Sequence, residues 1–141
     1  MILISHRGNL NGKDINQENH PTYIKQALDR GFNVEVDVWH INETFFLGHD
    51  KALYKIELGF LENKKIWCHA KNYQSLKELQ KTNAHYFWHE NDKYTLTSKG
   101  FCWAYPGEII FENTICVLPE TNIKKIDNCS GICSDFIERY L

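Results

Sequence analysis

The chain has 141 residues, a net charge of −2 and a hydrophobic fraction of 43%. This length suits a single domain over 1–141 with a sizeable core, and the balanced composition argues against both a disordered chain and a polyanion-binding protein. The short apolar start has no basic region before it, and no apolar run approaches the roughly 20 residues that span a bilayer, so we expect no stable membrane insertion.

Short apolar stretches recur along the chain, and most of them are too short to be helices. Their β-branched and aromatic residues predict strands instead. The predicted strands are 2–5, 33–39, 44–48, 65–70, 85–89, 94–98, 101–105, 114–119 and 131–136. Most of the five cysteines lie inside these stretches, where a reduced thiol behaves as a small hydrophobic group, and this usage indicates a cytoplasmic protein.

Three segments between these strands have helical patterns. "HPTYIKQALDRG" combines Pro21 at a first helical position, apolar residues at helical spacing and Gly31 as a stop. "NYQSLKELQKTN" repeats this pattern with Leu76 and Leu79 on the inner face, and "TNIKKIDN" (121–128) predicts one short helix.

Strands that alternate with helices predict βα units and a mostly parallel sheet. Eight strands and one hairpin strand indicate a compact (β/α)8 TIM-like barrel, but such barrels usually need about 200 residues or more. Two explanations are open: several outer helices are shortened or missing, or the sheet is open and has fewer strands. We expect the compact barrel.

The strand "NVEVDVWH" carries two acidic residues among valines. Residues two apart share a strand face, so Glu35 and Asp37 point the same way, and two like charges in an apolar setting need a counter-charge. Carboxylate oxygens suit a hard cation, so this pair predicts a site for Mg²⁺ or Ca²⁺. The alternative is that this face of the strand is solvent-exposed.

Two histidines follow neighbouring strand segments. His6 lies in "SHRG" after the first strand, and His49 precedes Asp50 in "LGHD" after the hairpin strand. The carboxyl ends of parallel strands meet at one edge, where active sites collect. Two imidazoles beside a metal suit phosphodiester cleavage, because one can accept a proton from the nucleophile while the other donates one to the leaving oxygen.

These pieces together carry a resemblance to a known family. "HRGN", "QENHPTYIKQALDRGFNVEVDVW" and "FLGHD" resemble, in order and in spacing, the glycerophosphodiester phosphodiesterase family, whose pattern runs from His-Arg-Gly through Glu-Asn and Glu-x-Asp to His-Asp. "FCWAYPG" and "GICSDF" are similar to its last barrel strands. The resemblance implies a whole barrel in miniature that cleaves a glycerophosphodiester, or a related lipid-headgroup diester, with a divalent cation.

The resemblance also implies roles for single residues. His6 and His49 would be the general acid-base pair, and Arg7 would bind the phosphate. Glu35 and Asp37 would be the first two metal ligands. Glu18 matches the Glu-Asn element near the family's site, although a glutamate there would equally favour the dipole of the following helix. Trp39 shares a strand face with Asp37, and we expect it to touch the alcohol group of the substrate.

The chain departs from the family pattern after the next strand. Where the family has a Glu-x-Lys pair that supplies a third carboxylate ligand, this chain has His69 and Lys71 in "CHAKN". Lys71 can still bind a phosphate oxygen. His69 would either ligate the metal as a neutral imidazole, which would favour a transition metal, or hydrogen-bond to the substrate.

Other classes of function receive less support. His85 and His89 lie about 13 Å apart on a strand, too far for one zinc ion. The chain has no basic stripe that would bind nucleic acid, so the expected partner is a small-molecule phosphodiester. The alternative function is a non-catalytic phosphate-binding barrel. Because few helices cover the strands, we also expect a homodimer.

Overall fold

The computed structural model describes residues 1–122 and 126–141. Ten strands lie in one sheet. They are β1 (Ile2–His6), β2 (Asn33–Ile41), β3 (Thr44–Leu47), β4 (Tyr54–Ile56), β5 (Ile66–Ala70), β6 (His85–Phe87), β7 (Tyr94–Leu96), β8 (Cys102–Ala104), β9 (Thr114–Val117) and β10 (Gly131–Ser134). The α-helices are α1 (Pro21–Asp29), α2 (Leu58–Leu61) and α3 (Tyr73–Leu79), and 3₁₀ turns cover Pro119–Thr121 and Ile137–Tyr140.

Each of the nine predicted strand segments contains a strand, and the first two predicted helices are confirmed as α1 and α3. The third predicted helix includes residues 123–125, which lie outside the described residues. Strand β4 and the four-residue helix α2 were not predicted.

Seven strands form a parallel run in the order β6-β5-β2-β1-β10-β9-β8. Antiparallel strands extend it: β3 and β4 join on β2, and β7 joins on β8. The long strand β2 serves two neighbours, because Val34–Val38 pairs with β5 while Val38–Ile41 pairs with β3. Its middle residues therefore lie at the centre of the sheet.

The (β/α)8 barrel prediction is wrong. Within the described residues the sheet does not close, since no strand pairing joins β6 to β7, although the Ser98 N–H donates to the Tyr86 carbonyl (2.8 Å). Three α-helices in this part of the chain are also too few for eight βα units. After β6 the described residues form one hairpin (β7–β8), turns and 3₁₀ turns but no α-helix, whereas a (β/α)8 barrel places a helix after each strand. The open-sheet alternative is confirmed, but with ten strands rather than fewer.

Apolar residues cover both faces of the sheet. The β2 valines pack on one face with α1 and α3, through residues such as Ile24 and Leu79. The other face carries Ile4, Trp67, Phe87, Trp103 and Ile115 in a second cluster. A strand at the middle of such a sheet is buried on both sides. No helix in 1–122 or 126–141 combines the length and apolar character needed to cross a membrane.

Local capping fixes the helices against the sheet. Pro21 begins α1, where its missing N–H removes no helical hydrogen bond, and the His20 imidazole accepts from the Thr22 N–H. At α3, Asn72 and Ser75 form a capping box. The Asn72 side chain also hydrogen-bonds both backbone groups of His40, which ties the start of α3 to the end of β2.

Candidate active site

The two acidic side chains of β2 are buried inside the protein. Glu35 is 2% exposed and Asp37 is fully buried, so the solvent-exposed interpretation of this strand face is wrong. Glu35 Oε2 and Asp37 Oδ1 are buried without a hydrogen-bond partner among the described residues. Buried carboxylate oxygens without donors are costly, and this cost indicates that a positively charged group belongs beside them.

His69 lies next to these carboxylates because β2 and β5 are parallel neighbours, with Asp37 in register with His69. Its Nδ1 atom is 3.5 Å from Glu35 Oε1 and 3.4 Å from Asp37 Oδ1. One ligand atom from each of the three residues lies within 4.8 Å of the others. Two carboxylates and an imidazole at these separations fit a divalent cation.

A backbone carbonyl orients the His69 ring. His69 Nε2 lies 2.7 Å from the carbonyl oxygen of His89, and since a carbonyl only accepts, Nε2 carries a hydrogen. The ring stacks on Phe87, with the centroids 5.0 Å apart. Metal-binding histidines are commonly fixed in this way, with the second nitrogen donating to a carbonyl.

The electrostatic coupling of this cluster is visible in the pKa values. Burial lowers the pKa of His69, but its contacts with Asp37 and Glu35 outweigh burial and raise that pKa to about 9. Burial raises the pKa of Asp37, yet His49, His69 and Arg7 hold it well below its usual value. In the metal-free protein, cationic side chains therefore neutralise the carboxylates.

Arg7 lies beside the same carboxylates. Its backbone adopts a left-handed conformation (φ 56°) just after β1, a strained geometry for a non-glycine residue that is common at functional sites. Arg7 Nε is 3.0 Å from Asp37 Oδ2, and its Nη1 donates to Glu18 Oε2 at 3.3 Å. Buried Glu18 also accepts from Asn9 (2.9 Å), so its carboxylate holds the Arg7 guanidinium and does not cap α1.

Asn19 is a site residue that the sequence analysis did not single out. It is fully buried, its side-chain carbonyl accepts from the Asp37 N–H (2.9 Å), and its amide donates to Asp37 Oδ2 (2.9 Å). Asn19 therefore leaves Asp37 Oδ1 as the oxygen free for a ligand. Asn19 directly follows Glu18 in "QEN", and this position was the one sequence feature that could have identified it as a site residue.

Asp135 was also missed. His6 Nδ1 donates to Asp135 Oδ1 at 2.7 Å, and His6 Nε2 lies 3.7 Å from Glu35 Oε2. Burial lowers the pKa of His6, but its hydrogen bond to Asp135 and the charge of Glu35 raise that pKa overall. Asp135 is itself anchored, because its N–H donates to Glu120 (2.9 Å) and it accepts from Asn9 (2.8 Å). The sequence analysis quoted the segment "GICSDF", which contains Asp135, but nothing in that segment indicated a contact between Asp135 and His6.

His49 approaches the carboxylates from the hairpin loop. It is 42% exposed, and its Nδ1 lies 3.5 Å from Asp37 Oδ2. Trp39 holds the loop, since its indole N–H donates to the Gly48 carbonyl (2.6 Å). Gly48 has no room for a side chain, because a Cβ would overlap the Lys51 carbonyl. Trp39 therefore positions His49, and its N–H is not free for a substrate alcohol.

Three further residues from the sequence analysis, Lys71, His85 and His89, are not part of the cluster of Glu35, Asp37 and His69. Lys71 follows His69 by two residues and is half-buried. His85 bonds Thr97 and His89 bonds the Asp92 carbonyl. Among the described residues, the one histidine, cysteine and carboxylate cluster suited to a metal is Glu35, Asp37 and His69.

No protein-family model, curated protein or solved structure matches the chain. The chemistry that the site can perform therefore follows from its geometry. That geometry brings a buried carboxylate pair, an oriented imidazole, a guanidinium and two further histidines to one edge of a parallel sheet. Such a set of side chains can hold a cation and a phosphate, and its histidines can transfer protons on either side of the phosphate.

Proposed function

We propose that this protein is a metal-dependent phosphodiesterase that cleaves a glycerophosphodiester or a related lipid-headgroup diester. The observation that carries the proposal is the buried Glu35–Asp37 pair with a histidine on each carboxylate. His6 lies 3.7 Å from Glu35, and His49 lies 3.5 Å from Asp37. The resemblance of the segment from His6 to Asp50 to the glycerophosphodiester phosphodiesterase family supports it.

Three residues would hold the cation: Glu35, Asp37 and His69. A bound divalent cation supplies Lewis-acid stabilisation of a phosphate oxygen. Arg7 lies against Asp37. Arg7 and Lys71 would supply positive charge where the phosphate oxygens gain negative charge in the transition state. Arg7 shares its charge with Glu18 and Asp37, so its guanidinium is held in place before the substrate binds.

His6 and His49 would carry the two proton transfers. Asp135 holds the Nδ1 hydrogen of His6, which leaves Nε2 facing the site for exchange of a proton. His49 is more exposed, and this suits a group that meets the leaving alcohol or the incoming nucleophile at the entrance. Both water and a hydroxyl of the substrate fit the role of nucleophile.

The proposal is tested by following release of glycerol 3-phosphate from glycerophosphocholine by the purified chain with Mg²⁺, Ca²⁺, Mn²⁺ or Co²⁺. We expect metal-dependent turnover that falls by a factor of about 10² or more in His6→Ala and in Glu35→Gln. His40→Gln is the matched control, because His40 lies farther along β2 and its ring packs on Phe45 outside the metal cluster.

Equal turnover in all four proteins would contradict the proposed site. Folded protein without turnover of this or a generic aryl phosphodiester would instead favour a non-catalytic phosphate-binding protein. Such a protein needs Arg7 and Lys71 but has no use for two histidines at the carboxylates. We further propose a cytoplasmic location, since all five cysteines are free and three of them are buried.

A further inference from the structure

The three ligand residues differ in chemistry from an all-oxygen site. Two of them, Glu35 and Asp37, offer carboxylate oxygens, and His69 offers a nitrogen. Two carboxylate oxygens, Glu35 Oε2 and Asp37 Oδ1, are buried without a hydrogen-bond partner in the part of the chain that the structure describes. His69 Nδ1 lies 3.4 Å from Asp37 Oδ1 and 3.5 Å from the other Glu35 oxygen, Oε1. Two carboxylates give a charge of −2, and the third ligand position is taken by an imidazole nitrogen.

The structure fixes His69 as a nitrogen donor in one orientation. Its Nε2 hydrogen is held by the His89 carbonyl at 2.7 Å, so a flip of the ring would break that bond and leave a buried carbonyl unpaired. His89 is itself held by a hydrogen bond from its Nε2 to the Asp92 carbonyl oxygen (2.6 Å). Only Nδ1 of His69 then faces the carboxylates.

The carboxylates offer few oxygens in return. Asp37 Oδ2 is already engaged by Asn19 (2.9 Å) and by Arg7 (3.0 Å), so Asp37 binds a cation through one oxygen. Calcium takes six to eight oxygen ligands, often with bidentate carboxylates, and magnesium also prefers oxygen ligands. Imidazole nitrogen suits zinc, copper, iron and nickel better.

We propose that this centre selects a divalent transition metal such as Co²⁺ or Zn²⁺ over Mg²⁺ and Ca²⁺. The inference rests on the proposed function, since it concerns the same cation site. The selectivity resides in His69, because an imidazole nitrogen strengthens binding of the transition metals and is a poorer ligand than oxygen for the hard cations.

The test is direct binding of Co²⁺ and Mg²⁺ to the purified full chain, by calorimetry, in wild type and in His69→Glu. Every site of this kind binds Co²⁺ more tightly than Mg²⁺ to some degree, so the informative quantity is the ratio of the two dissociation constants. We expect His69→Glu to reduce the preference for Co²⁺ by about tenfold or more, and His40→Gln to leave it unchanged.

A second variant keeps the test independent of the added charge. His69→Gln removes the imidazole without adding a carboxylate, and we expect it to weaken Co²⁺ binding by about tenfold or more while Mg²⁺ binding changes little. The visible absorption of bound Co²⁺ reports on nitrogen ligation directly and should change in both variants. Circular dichroism establishes that each variant is folded.

The outcomes separate this inference from the proposed function. An unchanged preference in both His69 variants overturns the inference and leaves the phosphodiesterase proposal standing. Selective Co²⁺ binding without turnover of any diester supports the inference and overturns the proposed activity. Wild-type protein that binds neither ion overturns both.

Discussion

At the scale of single residues, Asp135 is the clearest case of a side chain that acts through another. Asp135 accepts the Nδ1 hydrogen of His6 at 2.7 Å and raises the pKa of that histidine. Replacing Asp135 by Asn removes the negative charge, so the pKa of His6 should fall. We predict that Asp135→Asn lowers both this pKa, followed by NMR titration of the metal-free protein, and kcat by a factor of about 10².

The control for this prediction is Asp29→Asn. Asp29 pairs with Lys25 on the exposed side of α1 at 2.6 Å, so its loss removes a similar charge without touching His6. If Asp135→Asn lowered stability but left the pKa of His6 and kcat unchanged, the aspartate would be structural only.

Residue identity alone predicted part of this site. The spacing of Glu35 and Asp37 on one strand indicated a shared face, and His69 was expected next to them; the structure brings these three together. Asp135 was not predictable as the partner of His6, because 129 positions separate them and only the pairing of β1 with β10 brings them together. Local patterns do not encode such distant contacts.

At the scale of elements, the loop between β3 and β4 delivers His49 through Gly48. A Cβ at Gly48 would overlap the Lys51 carbonyl, so Gly48→Ala must displace the loop. We predict that Gly48→Ala lowers kcat at least tenfold, because His49 moves relative to Asp37, while the central sheet remains folded. Steady-state kinetics and thermal unfolding together measure the two effects.

Gly59→Ala in α2 is the matched substitution, because an added Cβ there meets no atom of the described residues within 4 Å apart from its own chain neighbours and helix backbone. Alanine also favours a helix more than glycine does. We therefore expect unchanged kinetics and equal or higher stability. Equal kinetics in the two alanine variants would show that the position of the His49 loop does not matter.

Strand β6 carries a histidine that makes stability depend on pH. Burial, with a smaller effect of Lys99, lowers the pKa of His85 to about 4. The folded protein thus binds fewer protons at His85 than the unfolded chain between pH 6.5 and about 4, so stability falls as pH falls through this window. We predict a weaker pH dependence in His85→Gln, measured by denaturant unfolding at pH 7.0, 6.0 and 5.0.

The predictability of the elements follows from their length and polarity. Apolar runs identified nine strand segments, and proline and glycine at its ends identified α1. Strand β4 has three residues with exposed Lys55 in the middle, and α2 has four residues. Such short elements form because the neighbouring structure supports them, and their own sequences carry too little signal.

At the scale of the whole molecule, an apolar patch around β7 predicts self-association. Leu96, Ile109 and Phe111 are exposed, and Tyr94 joins the last two, since its hydroxyl donates to the Ile109 carbonyl and its ring contacts Phe111. We predict a homodimer by size exclusion with light scattering, and a monomer after Leu96→Lys. A monomeric wild-type protein would refute this, and Lys55→Ala on β4 serves as the control.

The overall architecture was only partly predictable. Alternating strand and helix patterns gave the mostly parallel sheet correctly. Closure could not be predicted, because it depends on whether β6 meets the last strands in register, and no local pattern specifies that contact. The described connections after Phe87 contain no α-helix, and this feature of the chain is typical of an open sheet and not of a (β/α)8 barrel.

If the proposed function is correct, strand β2 combines a stabilising face and a catalytic face that destabilises the fold. On one face its valines anchor the core, and on the other Glu35 and Asp37 concentrate negative charge in the interior. Selection for thermal stability alone would remove those charges, since uncharged residues of similar volume are often at least as stable in such places. Under the proposed function, these charges lower the stability of the sheet in exchange for a cation site. Evolution toward a heat-resistant variant would therefore have to proceed through other parts of the chain.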